Sequence, residues 1–285
     1  MNVIDLNNQP LNLDYIFNCG QAFRWQRSND GIWYGVVKDK LVELKHEDNK
    51  LYWETYPTQD ETLVRNYLRL DDDISQIYNY LSKKDNYLAF LINKYHGLRV
   101  LRQEPSETLF SFMCSAATSI PRISASISEL STRYGEIVCY KDSICYKSFP
   151  TINTLAAADV DTLRAIKTLA FRGRNIQFAA TQILEKGDGW IESLRNATFD
   201  EARTELISIK GIGEKMADCI CLFSLDKDEA VPIDTHIRQV AMKILPDIKC
   251  KTITNSVYKC IRRAFLDKYG EYAGWAQQFL FLDDL

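Results

Sequence analysis

The hydrophobic pattern of the chain changes its period at about residue 60, and this change limits the folds that are available to it. Before that point, apolar and polar residues alternate in short segments, as in residues 33–37, 41–44 and 51–53. Alternation places every second side chain on one face of a strand, whereas helices repeat every three to four residues. We therefore predict an N-terminal meander of short antiparallel strands, which also includes residues 23–26.

Beyond residue 60 the apolar spacing becomes helical. One such segment carries apolar residues at helical intervals and ends before Gly135, a common helix stop: Ile123, Ile127, Leu130 and Tyr134. Similar patterns end before Gly187 and Gly270. The sequence therefore predicts helices throughout the rest of the chain.

Composition indicates an ordinary globular protein. The 285 residues are 46% hydrophobic, which is enough to bury the core of one large or two medium domains. No segment approaches the roughly 20 apolar residues that span a bilayer, and residues 1–13 lack the pattern of a secretory signal. We therefore expect an intracellular protein that makes no membrane contact.

The eight cysteines are scattered and form no Cys-x-x-Cys pair, so neither a disulfide framework nor a zinc site is indicated. The net charge of −3 lies entirely in residues 1–95, while residues 96–285 are balanced. Residues 164–174 hold four bases and no acid. Such a segment fits a basic patch for nucleic acid or a solvated helix face, and charge alone does not separate these two interpretations.

A very short turn joins two apolar helical patterns at about residues 206–225. The turn Lys210-Gly211-Ile212-Gly213 contains two glycines, which allow a sharp bend and leave no Cβ to obstruct a ligand. The free N–H groups and the positive dipole end of the following helix suit a phosphate. This pattern indicates a helix-hairpin-helix, which binds the DNA backbone without reading base sequence. The alternative is a plain tight turn between packed helices.

Lys215 lies in the first turn of the second of these helices, where the helix dipole disfavours a cation. An amine nucleophile must be uncharged, and the dipole contributes only about 0.3–1 kcal/mol towards that state. We therefore expect a closed pocket that desolvates the amine and makes Lys215 a nucleophile. The alternative is a solvated lysine beside Glu214.

Asp234 precedes another helical pattern and is a favoured N-cap residue. Backbone N–H groups that fix a carboxylate also keep it ionised. A fixed anion can stabilise an oxocarbenium-like sugar while a glycosidic bond breaks, so we predict a catalytic role besides capping. An anion also favours the charged form of Lys215. We therefore expect Asp234 either to relay the proton of Lys215 or to lie slightly apart from the amine.

Together with the segment 231–236, the hairpin makes the sequence resemble the 8-oxoguanine DNA glycosylase/lyases of the helix-hairpin-helix superfamily. Residues 19–25, 110–115, 171–174 and 272–281 match the same family in order, so the resemblance covers nearly the whole chain. It implies an α+β fold, with an N-terminal antiparallel sheet domain in residues 1–100. This domain is expected to pack on a two-lobed, mostly α-helical domain in residues 101–285.

The resemblance also implies base flipping, in which the damaged guanine leaves the stack and is read in a pocket. Oxidised guanine carries a hydrogen on N7, and the family provides its acceptor, a glycine carbonyl, at the position of Gly20. By the same resemblance, Gln277 bonds the base edge, while Phe281 and Cys219 sandwich the ring. Cys219 lies one helical turn beyond Lys215 and hence on the same face.

Further DNA contacts are implied at Gly211, Gly213, His236, Arg122, Arg172, Ala117 and Phe171. The chain departs from the better-known eukaryotic pattern at two of these places. Ala116-Ala117-Thr118 stands where asparagines are common, and Phe171 stands where tyrosine is usual. Arg122 and Arg172 match positions near the orphaned partner base, where an arginine can pair with cytosine or fill space.

The resemblance implies a bifunctional enzyme that excises 8-oxoguanine from duplex DNA and cuts the abasic strand through a lysine Schiff base. We expect a monomer that needs no metal or cofactor for this chemistry. A glycosylase for alkylated bases would lack the hairpin lysine, and an endonuclease III-like enzyme would carry a cysteine cluster that is absent after Cys260. A non-catalytic helix-hairpin-helix protein is a third alternative, which the presence of both Lys215 and Asp234 disfavours.

Overall fold

The computed structural model describes residues 1–115, 118–170, 172–245 and 252–285. Within these ranges the chain forms seven strands: β1 Asn2–Asp5, β2 Gln26–Arg27, β3 Trp33–Val37, β4 Lys40–Glu47, β5 Lys50–Tyr56, β6 Ile137–Lys141 and β7 Ile144–Lys147. The same ranges contain fifteen α-helices: α1 Leu13–Asn18, α2 Glu61–Leu68, α3 Ile74–Lys84, α4 Asn86–Lys94, α5 Pro105–Met113, α6 Ile120–Tyr134, α7 Ile152–Ala157, α8 Val160–Ala165, α9 Arg172–Lys186, α10 Trp190–Ser193, α11 Phe199–Ser208, α12 Glu214–Ser224, α13 Thr235–Ile244, α14 Asn255–Tyr269 and α15 Ala273–Asp284.

The N-terminal strands form one antiparallel sheet in the order β1-β5-β4-β3-β2. One face carries buried residues at alternate positions, including Val42, Leu44, Leu51 and Trp53, and packs with α1 and α2 in a core of its own. The predicted α+β class, an antiparallel N-terminal sheet against a mostly helical body, is confirmed. No helix in the described ranges has the length and apolar character needed to cross a lipid bilayer.

Two details of the predicted meander are wrong. β1 was not predicted, and of residues 23–26 only Gln26 is in a strand. The aromatic rings of this segment turn towards helices instead of alternating across a sheet. Trp25 stacks on Phe17 of α1 with ring centroids 4.0 Å apart, and Phe23 meets Phe112 of α5 edge to face at 5.5 Å.

The expectation that only helices follow residue 60 is also wrong, because β6 and β7 form an antiparallel hairpin. Its turn residues Asp142 and Ser143 both have positive φ, at 49° and 63°, which suits the two-residue turns that join antiparallel strands. The hairpin attaches to the N-terminal sheet where the Lys141 ammonium meets the Glu43 carboxylate at 2.5 Å and donates to the Tyr56 hydroxyl at 2.9 Å.

A second and larger apolar core joins the helices. It includes side chains of α3 and α4, which pack with α15 near the end of the chain. For example, Tyr78 of α3 meets Phe279 of α15 edge to face at 5.5 Å. Apolar residues from 74–98 therefore share a core with the C-terminal helices. The domain division at residue 100 stays a prediction.

Candidate active site

The predicted helix, tight turn and second helix are present as α11, residues 209–213 and α12. Gly211 has φ of +98°, a left-handed conformation that favours glycine, and the Ile212 N–H closes the turn on the Ile209 carbonyl at 3.1 Å. At Gly213, which precedes α12, no atom lies within 4 Å of the position that a Cβ would take. The first N–H groups of α12 are therefore open to a close approach by a ligand.

An open cleft of about 820 Å³ lies beside the N-terminus of α12. Residues far apart in the sequence form its walls. The first turn of α12 contributes Lys215, the start of α13 contributes Asp234 and His236, the loop after α1 contributes Gly20, and α15 contributes Phe281. Gly213, just before α12, also lines it, so the fold brings six of the predicted site residues to one cleft.

Lys215 is partly buried in this cleft, with its Nζ 5.0 Å from the ring centroid of the buried Phe112. The Cys219 thiol lies one helical turn further along α12. Burial raises the pKa of this thiol to about 11, while the nearby charge and hydrogen bond of Lys215 lower it in part. The amine of Lys215 is therefore placed between an aromatic face and a protonated thiol.

Asp234 caps α13, as predicted, by accepting a hydrogen bond from the Ile237 N–H at 2.9 Å. The cap holds its carboxylate at the wall of the cleft. The neighbouring His236 is also fixed, since its Nδ1 lies 2.9 Å from an Asp284 carboxylate oxygen and its ring meets Phe281 edge to face at 5.8 Å.

Of the residues predicted to read the base, Gly20 and Phe281 line the cleft together, whereas Gln277 and Cys219 are not among its lining residues. Gly20 has φ of +73°, and a Cβ there would come within 3.1 Å of Cε1 of Phe281, so this position admits no larger residue without a shift. The Gln278 amide donates to the Cys19 carbonyl at 2.8 Å and holds the Gly20 loop against α15. Gln277 is buried at 3% exposure, and its Oε1 has no hydrogen-bond partner in the described part of the chain. A buried amide oxygen without a partner fits a group that awaits a ligand.

The remaining predicted DNA contacts differ in their surroundings. Arg122 is exposed on the first turn of α6, beside residues that line the cleft. Arg172 is buried, and its guanidinium donates to the carbonyls of Thr168 and Leu169, each at 3.4 Å. Ala117 and Phe171 lie outside the described residues. In the described ranges, no three or more His, Cys, Asp or Glu residues are grouped as a metal site would need.

Sequence reasoning missed several residues of the cleft wall, among them Phe112 and Tyr258. Phe112 lies within the matched segment 110–115, where a ring two residues before Cys114 could have been considered as a neighbour of the amine. Tyr258 had no comparable signal, because its helical pattern shows only that it faces the core.

A buried carboxylate lies directly behind this site. Asp218 is fully buried on α12, and accepts hydrogen bonds from Arg203 Nε at 2.7 Å and the Tyr258 hydroxyl at 2.5 Å. Burial raises its pKa to about 6, against the opposing effects of Arg203 and Tyr258. Desolvation thus outweighs the favourable contacts in the balance between the two protonation states of Asp218.

The chain is similar to known proteins in both sequence and fold. The family model described as 8-oxoguanine DNA glycosylase, N-terminal domain, matches residues 3–109. The N-glycosylase/DNA lyase OGG1 of Arabidopsis thaliana is 32% identical over 99% of this chain and 80% of that protein. The 8-oxoguanine glycosylase/lyase of Clostridium acetobutylicum, solved with double-stranded DNA containing cytosine opposite 8-oxoG, matches with a TM-score of 0.85 and 30% identity over 96% of this chain and 91% of that one. The structure of MBOgg1 with a low affinity DNA ligand matches with a TM-score of 0.89 and 30% identity, over 99% and 94%.

An N-terminal antiparallel sheet, a helical body and a helix-hairpin-helix beside a cleft define the class of helix-hairpin-helix DNA glycosylases. Within this class, similarity extends over 80% to 94% of the lengths of the relatives named above. The chain belongs to the 8-oxoguanine DNA glycosylase/lyase family.

The raised pKa of Asp218 predicts a pH-dependent contribution to stability. Between its ordinary value of 3.8 and about 6, the unfolded chain has lost this proton while the folded chain retains it. Unfolding therefore releases a proton in this window, and through this group the free energy of unfolding falls as pH rises. The Asp218→Asn variant lacks this titration. In urea unfolding, we expect the stability of the wild type relative to Asp218→Asn to decrease from about pH 4 to 6 and to be constant above about pH 7. A difference in the free energy of unfolding between the two proteins that is constant from about pH 4 to 7 would contradict the raised pKa of Asp218.

Proposed function

We propose that the protein excises 8-oxoguanine from duplex DNA in the cleft beside α12 and then cuts the abasic strand through a Schiff base on Lys215. The single observation that carries this proposal is that Lys215 and Asp234 line the same cleft, at the N-terminus of the hairpin's second helix. Membership of the 8-oxoguanine glycosylase/lyase family supplies the substrate class.

One feature of the cleft and one buried group on α15 support recognition of a flipped base. The ring of Phe281 lies against the loop of Gly20, whose lack of a side chain allows a base to approach the main chain. Gln277 offers a buried amide with an unused acceptor oxygen on the same helix as Phe281. We infer that the Gly20 carbonyl accepts from the hydrogen on N7, and that Phe281 and Cys219 enclose the ring.

In the proposed reaction, the neutral amine of Lys215 forms a bond to the sugar C1′ while the bond from C1′ to the base breaks. The base leaves with the bonding electrons and takes up a proton. Asp234 stabilises the positive charge that develops on the sugar, because the Ile237 N–H keeps its carboxylate fixed. The sugar ring then opens to a Schiff base on Lys215, and loss of a C2′ proton expels the 3′ phosphate.

Duplex DNA is the proposed partner, and the helix-hairpin-helix of α11 and α12 is its proposed anchor. The space around Gly213 and the helix N-terminus behind it suit a backbone phosphate. His236 and Arg122 border the same cleft and are proposed to contact DNA as well. For Arg172 to reach the partner base, its guanidinium must leave the carbonyls that it now contacts. We propose that the protein acts as a monomer inside the cell, where its substrate lies.

The overall activity is tested with four duplexes that carry 8-oxoguanine opposite each of the four bases. We expect release of free 8-oxoguanine and a nick at the same position, scored separately, and no release from an undamaged duplex. Binding to the duplexes without release of base would favour the non-catalytic alternative.

The Lys215→Gln variant tests the nucleophile. Because an amide cannot form a Schiff base, we expect no adduct after borohydride reduction of the enzyme with abasic DNA. Duplex affinity should stay within about threefold, since most of the affinity of such proteins comes from phosphate contacts elsewhere. A trapped adduct in Lys215→Gln would show that another amine attacks. Lys84→Gln, which changes a lysine of α3 outside both the helix-hairpin-helix and the cleft lining, is the matched control and should trap normally.

The Asp234→Asn variant separates the two roles of this residue. Asparagine is as good an N-cap as aspartate, so α13 and the melting temperature should change little. Loss of the negative charge should slow base release by about 100-fold under single-turnover conditions, as for removal of one electrostatic stabiliser at other sites. Release at the wild-type rate would reduce Asp234 to a structural cap.

A further inference from the structure

A buried polar network joins three helices behind the cleft. Asp218 on α12 is held on one side by Arg203 of α11 and on the other by the hydroxyl of Tyr258 on α14. Arg203 also lies 3.5 Å from a Glu214 carboxylate oxygen at the start of α12. All of these contacts lie on or beside the helix that carries Lys215.

The Tyr258 hydroxyl has a second set of neighbours, in the segment that leads to Asp234. It accepts a hydrogen bond from the Ile233 N–H at 3.3 Å and lies 3.2 Å from the Val231 carbonyl. A phenol has one hydrogen to donate. The contact to Asp218, at 2.5 Å, is shorter than the contact to the Val231 carbonyl. The phenol therefore donates its hydrogen bond to Asp218, while the Ile233 N–H donates to the phenol oxygen. Burial raises the pKa of Tyr258 well above its usual value, which keeps this hydrogen in place.

These hydrogen bonds connect α12, which carries Lys215, with the segment that leads to Asp234. Asp218 lies three residues after Lys215 on one side of α12, and Ile233 directly precedes Asp234. One hydrogen-bonded path from α12 to the residue before Asp234 therefore passes through the Tyr258 hydroxyl. In a reaction that depends on placing an amine and a carboxylate around one sugar, a displacement of about 1 Å can cost roughly 100-fold in rate.

We propose that Tyr258 is a positioning residue, whose hydroxyl fixes the distance between Asp234 and Lys215 by bridging Asp218 and the Ile233 N–H. This inference rests on the proposed roles of Lys215 and Asp234. We expect Tyr258 to affect base release and not duplex binding, because the Tyr258 side chain is buried in the wall of the cleft.

The Tyr258→Phe variant keeps the ring and removes only the bridge. We expect single-turnover base release to slow by roughly 10- to 100-fold, with the dissociation constant for the duplex within about threefold of the wild type. Tyr269→Phe is the matched control. It also removes a buried hydroxyl of α14 that donates to a carboxylate, that of Asp85 at 3.2 Å, but Tyr269 does not line the cleft. We expect Tyr269→Phe to release base at the wild-type rate, and both variants are assayed well below their melting temperatures.

A double-mutant cycle with Asp234→Asn separates positioning from a general loss of structure. If Tyr258 acts through Asp234, Tyr258→Phe should slow the Asp234→Asn enzyme by less than about threefold, because the group that it positions has already lost its charge. A merely structural role would give the same penalty in both backgrounds.

The outcomes separate the two proposals. Wild-type base release in Asp234→Asn alone would overturn the proposed function, and with it the role of Tyr258. A slow Asp234→Asn together with a normal Tyr258→Phe, or with an undiminished Tyr258→Phe penalty in the double variant, would overturn the positioning role alone.

Should Tyr258→Phe melt below the assay temperature, Asp218→Ala replaces it in the same cycle, assayed below its own melting temperature. This change removes the carboxylate that accepts the hydrogen bond from Tyr258 and puts no other polar group in its place. The same slow release and the same weakened effect in the Asp234→Asn background are expected. Base release at the wild-type rate in a folded Asp218→Ala would overturn the bridge.

Discussion

The left-handed backbone of Gly211 is the constraint on which the site depends. It allows α11 to end and α12 to begin within five residues, so the N-terminus of α12 opens onto the cleft with Lys215 in its first turn. A side chain at this position would be strained, and its Cβ would come within 3.3 Å of the end of Met113. The same turn leaves Gly213 unobstructed. One backbone conformation thus serves both the proposed phosphate contact and the placement of the amine.

The surroundings of Lys215 explain how an unfavourable position in a helix becomes useful. The amine lies over the ring of Phe112 and beside a buried thiol, away from bulk solvent on those two sides. Asp234 is held at the same cleft by its own helix cap, and Tyr258 links the segment before it to α12. Asp234 and Tyr258 are therefore fixed by main-chain contacts and by one buried carboxylate. Such fixed groups need little rearrangement at the moment of reaction.

The sequence predicts much of the fold and part of the candidate site. Physical reasons explain both what it predicts and what it misses. Alternation predicts β3, β4 and β5 because their sheet has one buried face, and the two glycines predict the hairpin. The strands β6 and β7 were missed because Asp142 and Ser143 lack the glycine that usually marks a two-residue turn. The contact between Asp218 and Tyr258 joins helices 40 residues apart, and the periodicity of either helix shows only that both residues face inward. The roles of individual site residues stay predictions.

The proposed chemistry depends most on the amine of residue 215 being the group that attacks the sugar. Peptide mapping by mass spectrometry, after borohydride reduction of the wild-type protein on a duplex containing 8-oxoguanine, tests this directly. We predict that the sugar remnant is attached to Lys215 alone. Attachment to another amine, such as that of Lys210 or the N-terminus, with Lys215 unmodified, would contradict the account.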